Sequence, residues 1–259
     1  MITITNLFFK AVKGAPMVAS RNLELRKGYG IVNDVNACPI SPRQILLTRQ
    51  EDLDELSIRY GGLRENLIIA GCPSALFVPG AMVSIGTALI RLTFYCEPCK
   101  RIADAVPSMN AVLNRRGILG VVLNSGQIHV GEELEIEPGK YPPVSETPYE
   151  RFLLFVRQIP PSRVVNYKMI CQGMGVAESY IRAIPKYIEK ASYLDDAIPI
   201  HRIVDSAGGL LTDYIPEQEN LLRSEGIIII DDLQLFESKS TKRTDLARFQ
   251  WGEDPLFLS

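Results

Sequence analysis

Residues 67–95, LIIAGCPSALFVPGAMVSIGTALIRLTFY, decide how the first half of the chain is read. Residues 67–90 carry no charged side chain, and an apolar run of that length raises the question of a membrane span. Gly71, Pro73, Pro79, Gly80 and Gly86 break it repeatedly, so a continuous apolar helix does not fit. Buried strands separated by turns do, and the spacing predicts strands over 67–70, 82–85 and 89–95. Working outward, 45–48, 119–123 and 134–136 read as further strands between Gly, Pro and Asn turns. Two helices interrupt them. One is predicted over 51–60, with apolar residues at 53, 56 and 60 and acids in its first turn. The other is predicted over 108–115. So many short strands in one domain imply a β-rich barrel or sandwich.

The chain has 259 residues and 28.9 kDa, which suits two domains. Hydrophobic residues make up 46% and charged residues 22%, enough apolar surface to exclude disorder as the main theme. A net charge of −2 excludes a strongly basic nucleic-acid coat protein, though not a local basic site. The opening MITITNLFFKAVKG has neither a basic n-region nor a long apolar h-region. The five cysteines are therefore expected as free thiols in a reducing cytoplasm.

The stretch PGKYPPVSETP (138–148) reads as an extended, stiff linker. It divides the chain into 1–138, a proline-rich linker over 139–148, a second domain over 149–226, and a strand and tail over 227–259. Beyond the linker the period changes. Apolar residues at 149, 152, 153, 156 and 159 make the stripe of an amphipathic helix. A short helix over 165–173, Gly175, and a longer helix over 176–190 outline a helix-turn-helix. Residues 160–190 hold five basic and two acidic side chains, a locally basic unit in an acidic protein. An ordinary helical hairpin with solvated lysines has the same outline.

Cys96-Glu97-Pro98-Cys99 follows a predicted strand and precedes a helix. Structural zinc would need two more ligands, and only His129 and His201 are on offer. A thioredoxin-like pair would want a β-α-β setting. A third reading is an exposed thiolate acting as a soft metal ligand or sulfur carrier, its acidity raised by the helix start after Pro98. Two inert buried cysteines remain the fourth.

Residues 28–48, GYGIVNDVNACPISPRQILLT, followed by LRENL (63–67), Gly80…Ile85-Gly86, Glu97-Pro98-Cys99, Gly117…Gly120-Val121 and VGEEL (130–134), resemble MOSC domains, the molybdenum cofactor sulfurase C-terminal module. The match spans about residues 1–138. It implies a β-rich barrel with a site for a molybdenum cofactor or a carried sulfur. Cys99 falls on the family's cysteine, as catalytic residue and metal ligand, with Cys96 beside it. Asp34, Arg43 and Asn66 match its polar positions and are expected in the same pocket. Asn33 replaces the family's usual glycine, and Asn tolerates φ > 0.

From Phe152 to Gly226 the chain resembles the DNA-binding domain of alkylguanine-DNA alkyltransferases. The carrying residues are Ile159-Pro160, Val164…Tyr167, Arg182-Ala183-Ile184, PIHRIV (199–204), Ser206…Gly208…Leu210…Tyr214 and Leu221-Leu222…Glu225-Gly226. The resemblance implies a mainly helical, winged-helix or helix-turn-helix domain. The family's chemistry rests on a Pro-Cys-His-Arg motif whose thiolate takes the alkyl group. Here Ile200 stands at the cysteine, so alkyltransferase activity is not expected although His201, Arg202 and Glu225 remain at the lesion pocket. The chain is similar instead to the alkyltransferase-like subgroup, and TDLARFQW (244–251) is similar to a C-terminal segment of that subgroup. Tyr167 matches the tyrosine that helps rotate the nucleotide out, and Arg182 the arginine that fills the gap. Ser179 and Tyr180 are expected at phosphate or groove. Pro185 falls inside the presumed recognition helix, where an internal proline costs roughly 3 kcal/mol unless the helix kinks, and Ala191-Ser192 replace the family's asparagine.

The expected partners are duplex DNA with a modified base and a redox or repair protein, with no membrane. In the joined reading, linked to DNA repair or modified-purine detoxification, the second domain captures a modified purine and the first supplies redox or sulfur chemistry. The alternatives are a DNA-damage sensor tethered by the barrel, an enzyme or sulfur carrier with a helical scaffold, and an interaction protein with both sites decayed.

Overall fold

The β-prone runs of the first half close on one another. The computed structural model describes residues 1–194, 198–232 and 241–252. It divides into two compact units, with the boundary in the chain between Ser145 and Glu146. The strands of the first unit are β1 (Ile2–Phe9), β2 (Val18–Ser20), β3 (Asn22–Arg26), β4 (Gly30–Ile31), β5 (Ile45–Arg49) and β6 (Leu67–Ala70). They continue as β7 (Met82–Ile85), β8 (Ala88–Tyr95), β9 (Ile118–Asn124), β10 (Gly126–His129) and β11 (Glu133–Glu137).

Seven of these form a barrel in the order β11-β7-β8-β9-β5-β6-β1, closed by an antiparallel β1–β11 pair with Ile2 opposite Leu134. Closure pairs the two end strands of the ring with each other. Strand β2 extends β1 outside the ring, and β10-β3-β4 make a separate sheet. The β5–β6 pair is parallel, so a crossover must join them. Helix α1 (Gln50–Glu55) lies in that crossover.

Strands β5 and β6 are apolar on both faces because both faces are covered. Ile45, Leu47, Leu67 and Ile69 point into the barrel core with Ile4, Val83, Ile90 and Val122. Leu46 packs outside with Phe94, Cys96, Leu119 and Val144, and Ile68 with Leu53, Ile58 and Leu63. Continuous apolar runs, rather than strict alternation, follow from that two-sided burial.

The predicted helix over 51–60 is cut short. Ser57 turns into the left-handed region at φ 52°, and the Ile58 amide donates back to the Leu53 carbonyl at 2.9 Å. That is a helix stop of the Schellman kind. The apolar spacing at 53, 56 and 60 reflects packing on the barrel rather than continued helix. The helix predicted over 108–115 reduces to a 3-10 turn at Asn110–Val112. Residues 139–145 do not stand clear of the barrel. Tyr141 donates its amide to the Gly80 carbonyl (2.9 Å). Buried Arg91 donates to the Pro142 carbonyl (3.0 Å) and stacks over the Tyr141 ring at 5.0 Å.

The second unit opens with α2 (Pro148–Gln158), whose Phe152, Phe155 and Val156 are fully buried. Next come β12 (Val165–Asn166) and α3 (Tyr167–Gly173), the latter capped by the Asn166 side chain accepting the Met169 amide at 3.0 Å. The helix predicted over 165–173 therefore starts two residues late, because Val165 and Asn166 pair in parallel with β13 (Ile203–Val204). Gly175 supplies the left-handed turn at φ 65°.

The long helix predicted over 176–190 is two elements: a 3-10 segment at Glu178–Ala183 and α4 (Ile184–Ser192). Pro185 sits in the first turn of α4, where no intrahelical bond is lost and its fixed φ suits the helix start. The anticipated cost of an internal proline does not arise. Helix α5 (Gln218–Ser224), the hairpin of β14 (Ile229–Asp232) and β15 (Thr241–Thr244), and α6 (Leu246–Phe249) complete the unit. They share a core of Val164, Val204, Leu222, Ile227, Ile229 and Phe249. The rest of the expected tail, residues 233–240 and 253–259, lies outside the described residues. No helix among the described residues is long and apolar enough to cross a membrane.

Candidate functional site

Each unit concentrates its chemistry in one place. In the first, β8 ends at Tyr95 and leads directly into the cysteine pair. Cys96 is buried, and its amide donates to the Gly117 carbonyl of the entry to β9 (2.9 Å). Cys99 is half-buried and extended (φ −148°, ψ 161°), the residue before a 3-10 segment at Lys100–Ala105. The two sulfurs face different arginines. Arg43 Nη2 lies 3.9 Å from Cys96 Sγ, and Arg116 Nη1 donates to Cys99 Sγ at 3.3 Å.

Their environments push them apart. Burial raises the Cys96 thiol, with Arg116 and Arg43 opposing only in part. Burial also works against ionisation of Cys99. There the Arg116 charge and hydrogen bond, with the Arg101 amide and charge, prevail and bring the thiol below its ordinary value. Cys99 is thus the more acidic and the more accessible of the two thiols.

Asp34 and Asn66 are brought together but turned inward. Asp34 accepts from the Lys10 amide (2.8 Å), the Asn36 amide (2.7 Å), the Asn36 side chain (2.9 Å) and Asn66 Nδ2 (3.3 Å). Asn66 also donates to the Phe8 carbonyl (3.1 Å) and accepts the Leu46 amide (3.0 Å). Both residues pin loops to the barrel. Asn33, in the glycine-like position, adopts φ 65°.

What they pin is a cationic cluster the motifs did not reveal. Lys10, just past β1, is 5% exposed. Burial lowers its pKa, the neighbouring charges of Arg64 and Arg101 lower it further, and Asp34 alone opposes them. Arg101 acts electrostatically on both Lys10 and Cys99. Arg101 was visible in the sequence two residues after the thiol, whereas Lys10 and Arg116 arrive from distant strands.

Among the described residues no group of three or more His, Cys, Asp or Glu side chains stands ready to hold a metal ion. A metal at Cys99 would need further ligands from a cofactor rather than from this chain. The donor set suits an anionic cofactor: a soft thiolate for the metal and Lys10, Arg64, Arg101 and Arg116 for negative charge.

In the second unit Ile200, His201 and Arg202 form a 3-10 turn before β13. Glu225, just past α5, is its counterpart. It accepts from His201 Nε2 at 2.8 Å, from Arg202 at 2.6 and 2.9 Å, and from the Ser162 amide at 3.0 Å. Burial alone would raise its pKa, but these bonds and the Arg202 charge hold it down to about 2. Ile200 is partly exposed beside this lock.

Tyr167, the first residue of α3, is partly buried. Burial, with the nearby Tyr214 and Asp205, pushes its hydroxyl up to about 12, so it stays protonated. Ser179, Tyr180 and Arg182 all sit exposed on the 3-10 segment that replaces the start of the expected recognition helix.

Residues 40–135 match the family model of the MOSC domain, and residues 147–227 match that of the 6-O-methylguanine DNA methyltransferase, DNA binding domain. No curated protein matches the chain. Among solved structures, the YuaD protein from Bacillus subtilis is 19% identical, covering 52% of this chain and 96% of its own, with a TM-score of 0.46. S. pombe Atl1, in a complex with damaged DNA containing O6-carboxymethylguanine, is 23% identical over 40% of this chain and 94% of its own (TM-score 0.34). YiiM from Geobacillus stearothermophilus is 13% identical over 86% of this chain and 100% of its own (TM-score 0.42). The chain is a fusion of a MOSC domain with an alkyltransferase-like DNA-binding domain in which isoleucine stands where the nucleophilic cysteine would be.

Proposed function

We propose that the second domain reads a modified base in duplex DNA without removing the modification, and that the first holds an anionic molybdenum-type cofactor or a carried sulfur at Cys99. The observation that carries the DNA reading is Ile200 beside an intact Glu225–His201–Arg202 lock. Isoleucine has no lone pair and accepts no alkyl group, so transfer chemistry is absent. Yet the charged residues that shape the turn are fully paired. In this reading Tyr167 and Arg182 assist extrusion of the base, and Ser179 and Tyr180 meet the backbone or groove. Extrusion costs roughly a few kcal/mol, least for a base already weakened by damage.

The first domain's part follows from charge. Cys99 would hold the metal or carry the sulfur, and Lys10, Arg64, Arg101 and Arg116 would meet the negative groups of the ligand. A bound molybdenum centre would supply two-electron redox chemistry. The protein supplies orientation and a low-pKa thiol held by Arg116. Together the domains make a damage-response module that captures a modified purine and brings redox or sulfur chemistry to the same molecule.

The test is a binding titration at fixed salt, because phosphate contacts alone give salt-sensitive affinity. Two duplexes differ only in one guanine alkylated on O6. A preference above about tenfold, or roughly 1.4 kcal/mol, is expected for the damaged duplex. Tyr167→Ala with Arg182→Ala should erase that preference while sparing most plain-duplex binding. Equal affinity for both duplexes refutes lesion reading.

A further inference from the structure

Glu65 is fully buried, at 0% exposure, at the end of a tight loop over residues 59–65. Burial raises its pKa, opposed in part by its own amide, by the Gly61 amide, which donates to Oε1 at 2.5 Å, by the Leu63 amide and by the Arg116 charge. Its Oε2 has no hydrogen-bond partner among the described residues. A carboxyl group so placed costs folding free energy unless something else requires it.

The loop it braces is one that side chains resist. Arg64 stands at φ 65°, and a Cβ on Gly62 would lie 2.7 Å from the Arg59 carbonyl. Bonds from the loop amides to the Glu65 carboxylate hold that conformation. From this loop the Leu63 carbonyl accepts Arg116 Nη2 at 3.4 Å. The same guanidinium, 4% exposed, donates through Nη1 to Cys99 Sγ and to the Glu97 carbonyl. Arg116 Nε is also buried without a partner, and the Arg116 charge acts on Glu65. Hydrogen bonds therefore run from the Glu65 carboxyl through its loop to Leu63, Arg116 and the Cys99 sulfur.

We propose that Glu65 is a positioning residue for Cys99, acting through the Gly61–Glu65 loop and Arg116 to hold a fixed positive charge against the sulfur. This rests on the reading of Cys99 as the reactive centre of the first domain. The consequence is directional. Reagents that approach Cys99 as anions are favoured over neutral ones of the same size, and the preference depends on Glu65 although Glu65 touches neither sulfur nor reagent.

The experiment alkylates the full chain with iodoacetate or iodoacetamide at one pH and follows the Cys99 peptide by mass spectrometry. The ratio of the two rates cancels the thiolate fraction and reports the local field. Arg116→Gln should lower the ratio about fivefold, the size expected for one unit charge about 4 Å away in a water-like medium. Glu65→Gln keeps the shape but replaces one carboxyl oxygen with an amide nitrogen, and should lower the ratio at least threefold. Glu65→Asp should stay within twofold of the parent. An unchanged or raised ratio in Glu65→Gln overturns the proposal.

Buried Cys72, Cys96 and Cys171 report folding, since they label only if the chain opens. If they label in Glu65→Gln, Arg116→Lys decides. Lysine keeps the charge but cannot span the Leu63 carbonyl and Cys99 together. A threefold fall upholds the anchored relay, and a parental ratio overturns it. Labelling of Cys99 in the parent no faster than Cys38 overturns both the reactive-thiol reading and the proposal.

Discussion

Replacing Glu225 with glutamine should destabilise the second unit by about 3 kcal/mol at neutral pH. The magnitude comes from its ionisation. The Glu225 side chain is 14% exposed, and its pKa sits at about 2 against an ordinary 4.5. At 1.36 kcal/mol per pH unit, that gap corresponds to about 3 kcal/mol of stability tied to the charged form. Because the folded value is the lower one, this stability is complete above about pH 4.5. It drains away as pH falls toward 2. Glutamine keeps the shape and offers one acceptor, but leaves the largely buried Arg202 without its counter-charge.

The assay is built into the chain. Trp251 is the sole tryptophan, is 5% exposed and packs at a tilt against Phe155 with ring centroids 5.9 Å apart, so its emission follows the second unit. With a urea slope of about 1.5 kcal/mol per molar, the midpoint should drop by about 2 M at pH 7. At pH 3 the parent has lost more than half of the benefit, so parent and variant should differ by only about 1.4 kcal/mol. A shift below about 0.5 M at pH 7, or an equal shift at both pH values, refutes the reasoning.

Gly173→Ala should cost at least about 2 kcal/mol in the same tryptophan assay, because a Cβ there would fall within the fully buried Phe155 ring. Pro185→Ala should change the stability by less than about 1 kcal/mol, since the proline occupies the first turn of α4 and breaks no bond. Asp34→Ala should destabilise the barrel by about 2–4 kcal/mol, read as faster hydrogen exchange in β1. It strips the acceptor from the Lys10 and Asn36 amides and from Asn66, and the counter-charge from Lys10.

Much of this molecule was legible because its signals are local. Six strand centres of the barrel follow from β-branched runs bounded by glycine and proline, and they lie inside β5, β6, β7, β8, β9 and β11. Strand β1 was not anticipated, because ITITNLFF at the start of the chain carries no turn signal before it and gains its place by pairing with β6 and β11. Helix lengths were overestimated for a related reason. Apolar spacing at 53, 56 and 60 or over 176–190 records which side chains are buried, and a barrel wall or a 3-10 segment imposes that spacing as well as an α-helix does. The proline-rich stretch at 139–148 has the composition of a linker, but its seat on the barrel depends on Arg91 and Gly80, some fifty to sixty residues away.

The surroundings of Cys99 divide in the same way. Cys99, its neighbour Arg101 and the isoleucine at position 200 are fixed by covalent sequence, and with them the thiol at 99 in one domain and the lack of a thiol at 200 in the other. Which thiol is activated is a matter of three dimensions. Arg116, from the approach to β9, donates to the Cys99 sulfur, and Arg64, from a left-handed loop, acts with Arg101 on Lys10 at the end of β1 only because the barrel closes. Electrostatic energy falls with distance through space and takes no account of separation along the chain. The sequence by itself therefore determined the two domains and the identity of the sulfur; the tertiary structure decided the field in which that sulfur sits.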